Sequence, residues 1–354
     1  MPPARPKMRF KLSGAKTAGP RQRRHLLLAA GAFYSISAVV YLASFAILPG
    51  IDVQYFVSQI VSVLFLVPLI FWYKSKPAEL SNAETSRRLA TVSPVIGALY
   101  LLAMSVRIPA VAFLKFPLEK TPLIYLVVLT LLLVERKPLA SHGFSRAQLK
   151  NQLGLGLFLL LGTLLLPVLI IVPIVSALYR VNLLEGYSFL PVVLASPFQV
   201  FAVGISEEGF FRGYMQTRLS QVTGTRRAIL FQAALFGIWH FVWHINPFDL
   251  TGMVFHVAST FVFGILTGVY FRYARSIAGL ALFHGLSNSL GEGLNPNVSS
   301  LPFSQSTLLA IVGLIELVAS ALLVILARRI CRAFRIRTQE TVETDMHLKH
   351  VSPA

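Results

Sequence analysis

The chain alternates long apolar runs with short clusters of Lys and Arg. Apolar runs occupy 26–48, 53–73, 92–114, 121–134, 153–178, 188–211, 228–246, 250–271, 277–291 and 306–327. Most approach the roughly 20 residues that cross a hydrocarbon core. The runs at 121–134 and 277–291 are short and would borrow flanking residues or be shielded by neighbouring helices. The pattern predicts an all-α fold: a polytopic transmembrane helical bundle of about ten spans.

Composition agrees. Of 354 residues, 55% are hydrophobic and 13% charged, against about 25% charged in an ordinary soluble domain. The net charge of +18 could suggest nucleic acid, but the basic residues flank apolar segments and do not interleave with aromatics on a soluble domain. They read as topology determinants and as anchors for anionic lipids, with no nucleic-acid partner. With the N-terminus inside, only Lys115, Lys120 and Arg180 fall on the outer side, and Arg107 falls within a span. The rest of the 32 Lys and Arg lie on the cytoplasmic side. A ten-span arrangement with both termini cytoplasmic satisfies the positive-inside rule. The expected location is a multi-pass integral membrane protein, of the cytoplasmic membrane if the host is bacterial.

The chain divides into a basic tail (1–25), N-terminal spans (26–139), a core (140–328) and a second basic tail (329–354). The run at 26–48 has the length of a span and no clear A-x-A site, so it is read as retained. Asn297-Val298-Ser299, in the longest outer loop, is a glycosylation sequon. The single Cys331 excludes an internal disulfide framework and reads as an ordinary thiol.

Ionisable groups inside spans cost several kcal/mol and usually line cavities or functional sites. Here they are grouped. Glu207, Glu208 and Arg212 lie on the sixth predicted span, in its cytoplasmic half, which points to chemistry near the cytoplasmic face. His240 and His244 lie on the seventh, His256 on the eighth, His284 and Asn288 on the ninth. Residues four apart share a helix face, which pairs Glu208 with Arg212, Phe236 with His240, and His284 with Asn288. Glu207 points about 100° from Glu208, so one carboxylate can face a pocket while the other pairs with Arg212. His244, His256 and Glu316 read as interhelical polar contacts, and Arg107 as a cation that snorkels or pairs with a carboxylate.

Such a pocket has the parts for hydrolysis. Glu207 can act as general base on a water held by His240, and then return the proton to a leaving amine. His284 and the Asn288 amide can donate to the oxyanion, a contribution of about 3 kcal/mol per donor. Equally, Glu207, His240 and His284 could bind a divalent metal such as zinc, which would acidify a bound water.

Three motifs carry a resemblance. Glu207-Glu208-Gly209-Phe210-Phe211-Arg212 is an EExxxR, Phe236-Gly237-Ile238-Trp239-His240 an FxxxH, and His284-Gly285-Leu286-Ser287-Asn288 an HxxxN. In order, in a polytopic chain, they resemble the CPBP family, the CAAX proteases and bacteriocin-processing (Abi) enzymes. The resemblance covers about 140–292, and the first three spans match nothing in that family. It implies an intramembrane endopeptidase acting on membrane-associated proteins or peptides. Glu207 and His240 would activate water, His284 and Asn288 would form the oxyanion site, and Glu208, Arg212 and Phe236 would support them. Whether such enzymes are glutamate-type or metallo-type proteases stays open, with no cofactor certain.

Other intramembrane protease designs do not fit. HExxH and GxSG are absent, and Asp52, Asp249 and Asp345 lie away from the middle of any span. Two other functions stand as alternatives: a non-catalytic scaffold or bacteriocin-immunity factor of the same fold, and a proton-coupled transporter. The absence of an inverted repeat weighs against the transporter.

Overall fold

The computed structural model describes residues 92–336 apart from 116, 136, 138, 147, 181, 184–186 and 294–304, with a few helical residues between 24 and 64. The N-terminal tail, most of the first two predicted spans, the sequon at Asn297 and the end of the C-terminal tail lie outside the described residues. Among those described the fold is all-helical, with no strand.

Among the described residues from Val92 on, eight helices follow one another. They are α1 (Val92–Pro109, continued by a π-helical Ala110–Leu114), α2 (Lys120–Leu129, continued by Thr130–Val134) and α3 (Leu149–Tyr179). Then come α4 (Phe189–Thr223), α5 (Thr225–Ile238), α6 (Leu250–Ala274), α7 (Ala278–Gly293) and α8 (Gln305–Ala333). Within the described residues, α1 from Pro94, α3, α4 and α6 are long and apolar enough to cross a membrane, and Lys120–Leu132 is a shorter apolar helix. Many of their outward Leu, Ile, Val and Phe side chains are exposed, as expected of helices whose surroundings are lipid rather than water.

The predicted span at 228–246 is shorter in the structure. α5 stops at Ile238, and Phe241–His244 forms a separate 3-10 turn. Fourteen helical residues rise only about 21 Å, short of the roughly 30 Å hydrocarbon core. Trp239 and His240 fall in the turn between them, which frees their side chains to point into the bundle.

α7 sits close to α3 and α4 because small residues line its contact faces. A Cβ on Gly279 would run into the Gln152 carbonyl of α3, and one on Gly285 would run into the Val200 backbone of α4. Such glycines allow close backbone approach where packing, not hydrophobicity, drives helix association. They bring His284, next to Gly285, against the α4 carboxylates.

Loop contacts define two ends of the bundle. At one end, Ile277 N donates to Gly143 O (3.0 Å), Gln148 Nε2 to Arg335 O (3.1 Å), and Arg218 pairs with Glu135 (3.0 Å). At the other, Lys115 Nζ donates to Asn246 O, and Arg107 Nε to Trp239 O (2.9 Å). The core forms two clusters. One packs α1 and α2 against Phe210, Phe211, Tyr214, Phe236 and Trp239. The other joins α3, α6, α7 and α8.

Candidate active site

α4 carries the central groups. It is wound as a π-helix over Gln199–Gly204 and Glu208–Gln216, with one α-helical turn, Ile205–Glu207, between. π-helical turns are frequent at functional sites. Glu207, Glu208 and Arg212 are all buried. The two carboxylates diverge, as their adjacency predicted, and each meets a different wall.

Glu208 meets α7. Its Oε1 lies 2.9 Å from His284 Nδ1 and 3.1 Å from Arg212 Nη1. The Arg212 contact is an ion pair without hydrogen-bond geometry, and the guanidinium carbon lies over Phe236, 4.2 Å from the ring centroid. Charge and ring together hold Arg212 where water cannot. Phe236 also packs edge-on against His240 and His284, at 4.7 and 5.8 Å.

Glu207 meets a wall from α1, α2 and α5. Its Oε1 accepts from Trp239 Nε1 (2.8 Å) and from Lys120 Nζ. Lys120 also lies 3.4 Å from Glu119, which pairs with Arg107. Arg107 sits 4.6 Å over the Trp239 ring and donates to its carbonyl. Four charges thus alternate in sign: Arg107, Glu119, Lys120, Glu207. All four are buried, and alternation is what makes such burial tolerable. Arg107 pairs with a carboxylate, one of the two roles expected of it. Lys120, expected on the outer side as a topology charge, instead points into the site. Sequence reading missed it and Trp239. The only hint was a Glu119-Lys120 pair set between Pro117 and Pro122 in an otherwise apolar stretch.

The other oxygen of Glu207, Oε2, is buried and has no hydrogen-bond partner. It faces His284 Nε2 at 3.5 Å and His240 Nε2 at 4.0 Å. His240 Nδ1 lies 2.8 Å from the Phe236 carbonyl. A carbonyl only accepts, so Nδ1 carries the proton. His284 Nδ1, against Glu208, is held the same way. Both imidazoles therefore turn Nε2 towards one carboxylate oxygen, leaving a gap suited to a shared proton donor such as water. Asn288 stands apart. It is exposed, and its amide donates to Gln199 Oε1 at 3.1 Å.

The donor types at Glu207, His240 and His284 suit zinc, and each imidazole has the rear acceptor that metal-bound histidines favour. The arrangement fits less well. Tetrahedral ligands about 2.0–2.1 Å from zinc lie about 3.3 Å apart, which the 4.0 Å separation exceeds. No group of three or more His, Cys, Asp or Glu among the described residues is set to hold a metal ion. Lys120 also already supplies a cation to Glu207.

Fold and site together define an all-helical integral membrane protein with a charged site buried inside its bundle. Residues 188–290 match the family model described as Type II CAAX prenyl endopeptidase Rce1-like. That segment, less than a third of the chain, contains all three motifs, and the match supports a likeness to CAAX/CPBP intramembrane proteases. No curated protein and no solved structure matches the chain.

Proposed function

We propose that this protein is an intramembrane endopeptidase that hydrolyses peptide bonds of membrane-associated proteins or peptides, with Glu207 as general base. The observation that carries this reading is the convergence of Glu207 Oε2 with two imidazole Nε2 atoms inside the bundle. A water between them gives one proton to Glu207 and is oriented by His240, and its oxygen attacks the peptide carbonyl. The oxyanion is stabilised by His284 and by the Asn288 amide, turned from Gln199. Collapse breaks the C–N bond, and the proton on Glu207 passes to the departing amine. Lys120 and Trp239 fix the carboxylate from behind, and Glu208 with Arg212 fixes His284.

This is a glutamate-type mechanism. A divalent cation, if bound, would be held by Glu207, His240 and His284 and would acidify water, but the Lys120 contact and the wide Nε2–Oε2 spacing favour the reading without one. About ten spans with cytoplasmic termini, and anionic lipids around the basic loops, complete the proposal. The test is Glu207→Gln in a cleavage assay with a membrane-anchored reporter. Turnover should fall by about 10³-fold, and wild-type turnover in the pure variant would refute the base.

A further inference from the structure

We infer that Gln199, which belongs to none of the three motifs, binds the main chain of an extended substrate peptide and in doing so releases the Asn288 amide for the oxyanion. The inference rests on the endopeptidase reading for the identity of its ligand.

The seam between α4 and α7 carries it. The two helices run antiparallel there and touch through small residues. A Cβ on Gly204 would run into the Ala281 carbonyl, and one on Gly285 into the Val200 backbone. Past that closest approach the seam changes character. Asn288 Nδ2 donates to Gln199 Oε1 at 3.1 Å, so two side-chain amides bridge the helices. Farther along α7, a Cβ on Gly291 would meet nothing within 4 Å. The tight seam therefore ends in a pair of carboxamides with space beyond them.

These carboxamides stand where apolar side chains are expected. Both lie within apolar runs of span length, yet Asn288 is exposed and Gln199 only half-buried. The outward neighbours Leu194 and Phe201 are apolar and exposed. An amide that faces hydrocarbon forfeits the hydrogen bonds water would give it, so a polar ligand that covers the pair is favoured.

The chemistry of the pair names that ligand. The bond between the amides uses one donor and one acceptor, which leaves Asn288 Oδ1 to accept and Gln199 Nε2 to donate. An extended residue presents its N–H and C=O on one edge, and a glutamine amide matches both at once. The peptide thus replaces Asn288 on Gln199 Oε1 and adds a bond from Gln199 Nε2. Asn288, displaced, is one helical turn from His284 on the same face of α7, and His284 Nε2 lies 3.5 Å from Glu207 Oε2. One turn is about 5.4 Å, the reach of about two extended residues. Recognition through the main chain also leaves the substrate's side chains unread at this point.

Kinetics and binding on the full chain in lipid nanodiscs test this. Gln199→Met should raise KM for the membrane-anchored reporter about fivefold to tenfold, as loss of a neutral hydrogen bond does. kcat should not fall, because Asn288 is then already free. A fall in kcat at unchanged KM would make Gln199 a support of Asn288 alone and overturn the inference, as would no change in either constant. Reporters with a single ester in place of one peptide unit give a second measurement. One position should raise KM by a similar factor in the wild-type chain and by less in Gln199→Met. Equal penalties in both chains at every position overturn the contact. The third arm measures binding of the intact reporter to Glu207→Gln. Adding Gln199→Met should weaken that binding by the same factor, and equal binding overturns the inference. If the wild-type chain cuts no reporter while Gln199→Met still weakens binding, the peptide contact stands and the endopeptidase reading falls.

Discussion

The two carboxylates of α4 face walls of different origin. Glu208 meets His284 and Arg212, with Phe236 packed against both, and all three lie within 188–290. Glu207 meets Lys120, backed by Glu119 and Arg107, which precede that segment and form no motif. One wall supports an imidazole, while the other holds the proposed base. The difference teaches that the family motifs describe only half of this site. The charge that steadies Glu207 comes from a helix contact 87 residues away in sequence.

The sharpest break between the walls is His284→Ala. It removes the group between both carboxylates and should lower kcat by about 10³-fold, read in the reporter assay. A loss under tenfold would reduce the α7 wall to packing.

Next comes stability on the other wall. Glu119→Gln leaves Arg107 buried without its partner and should destabilise the protein by about 3 kcal/mol in detergent unfolding. The double variant Arg107→Met, Glu119→Leu should recover most of that loss. Additive losses in the double variant would show that the two residues do not act as a pair.

Lys120→Met should be smaller in effect but more telling. With Glu207 no longer held, kcat should fall about 10²-fold while KM stays near wild type. Lys120→Arg should recover part of the rate. A change in KM alone would make Lys120 a substrate contact and not a positioning residue.

The smallest expected effect is that of a chelator. Exhaustive treatment should leave turnover within about twofold, since the reading routes no step through a metal. A loss restored by added zinc would move Glu207, His240 and His284 from base and supports to ligands.

The separation of Glu207 from Glu208, the Glu208–Arg212 pair and the seating of His240 beside Phe236 were all legible, because neighbours on one helix are fixed by local geometry. The π-helical winding of α4 was not, since nothing in its residue types announces an extra residue per turn. Lys120 was misread as a topology charge because a single cation at the end of an apolar run looks the same whether it faces water or folds inward. α5 was drawn too long because 239–246 is apolar enough to continue it.

By itself, then, the sequence determined the class of molecule: apolar runs demand lipid, Lys and Arg clusters orient them, and three spaced motifs mark where the polar groups lie. Only the tertiary structure decided what each carboxylate meets and which helices wall the site. Those outcomes depend on contacts between helices far apart in the chain, where burial forces every charge to find a partner and no local pattern says which.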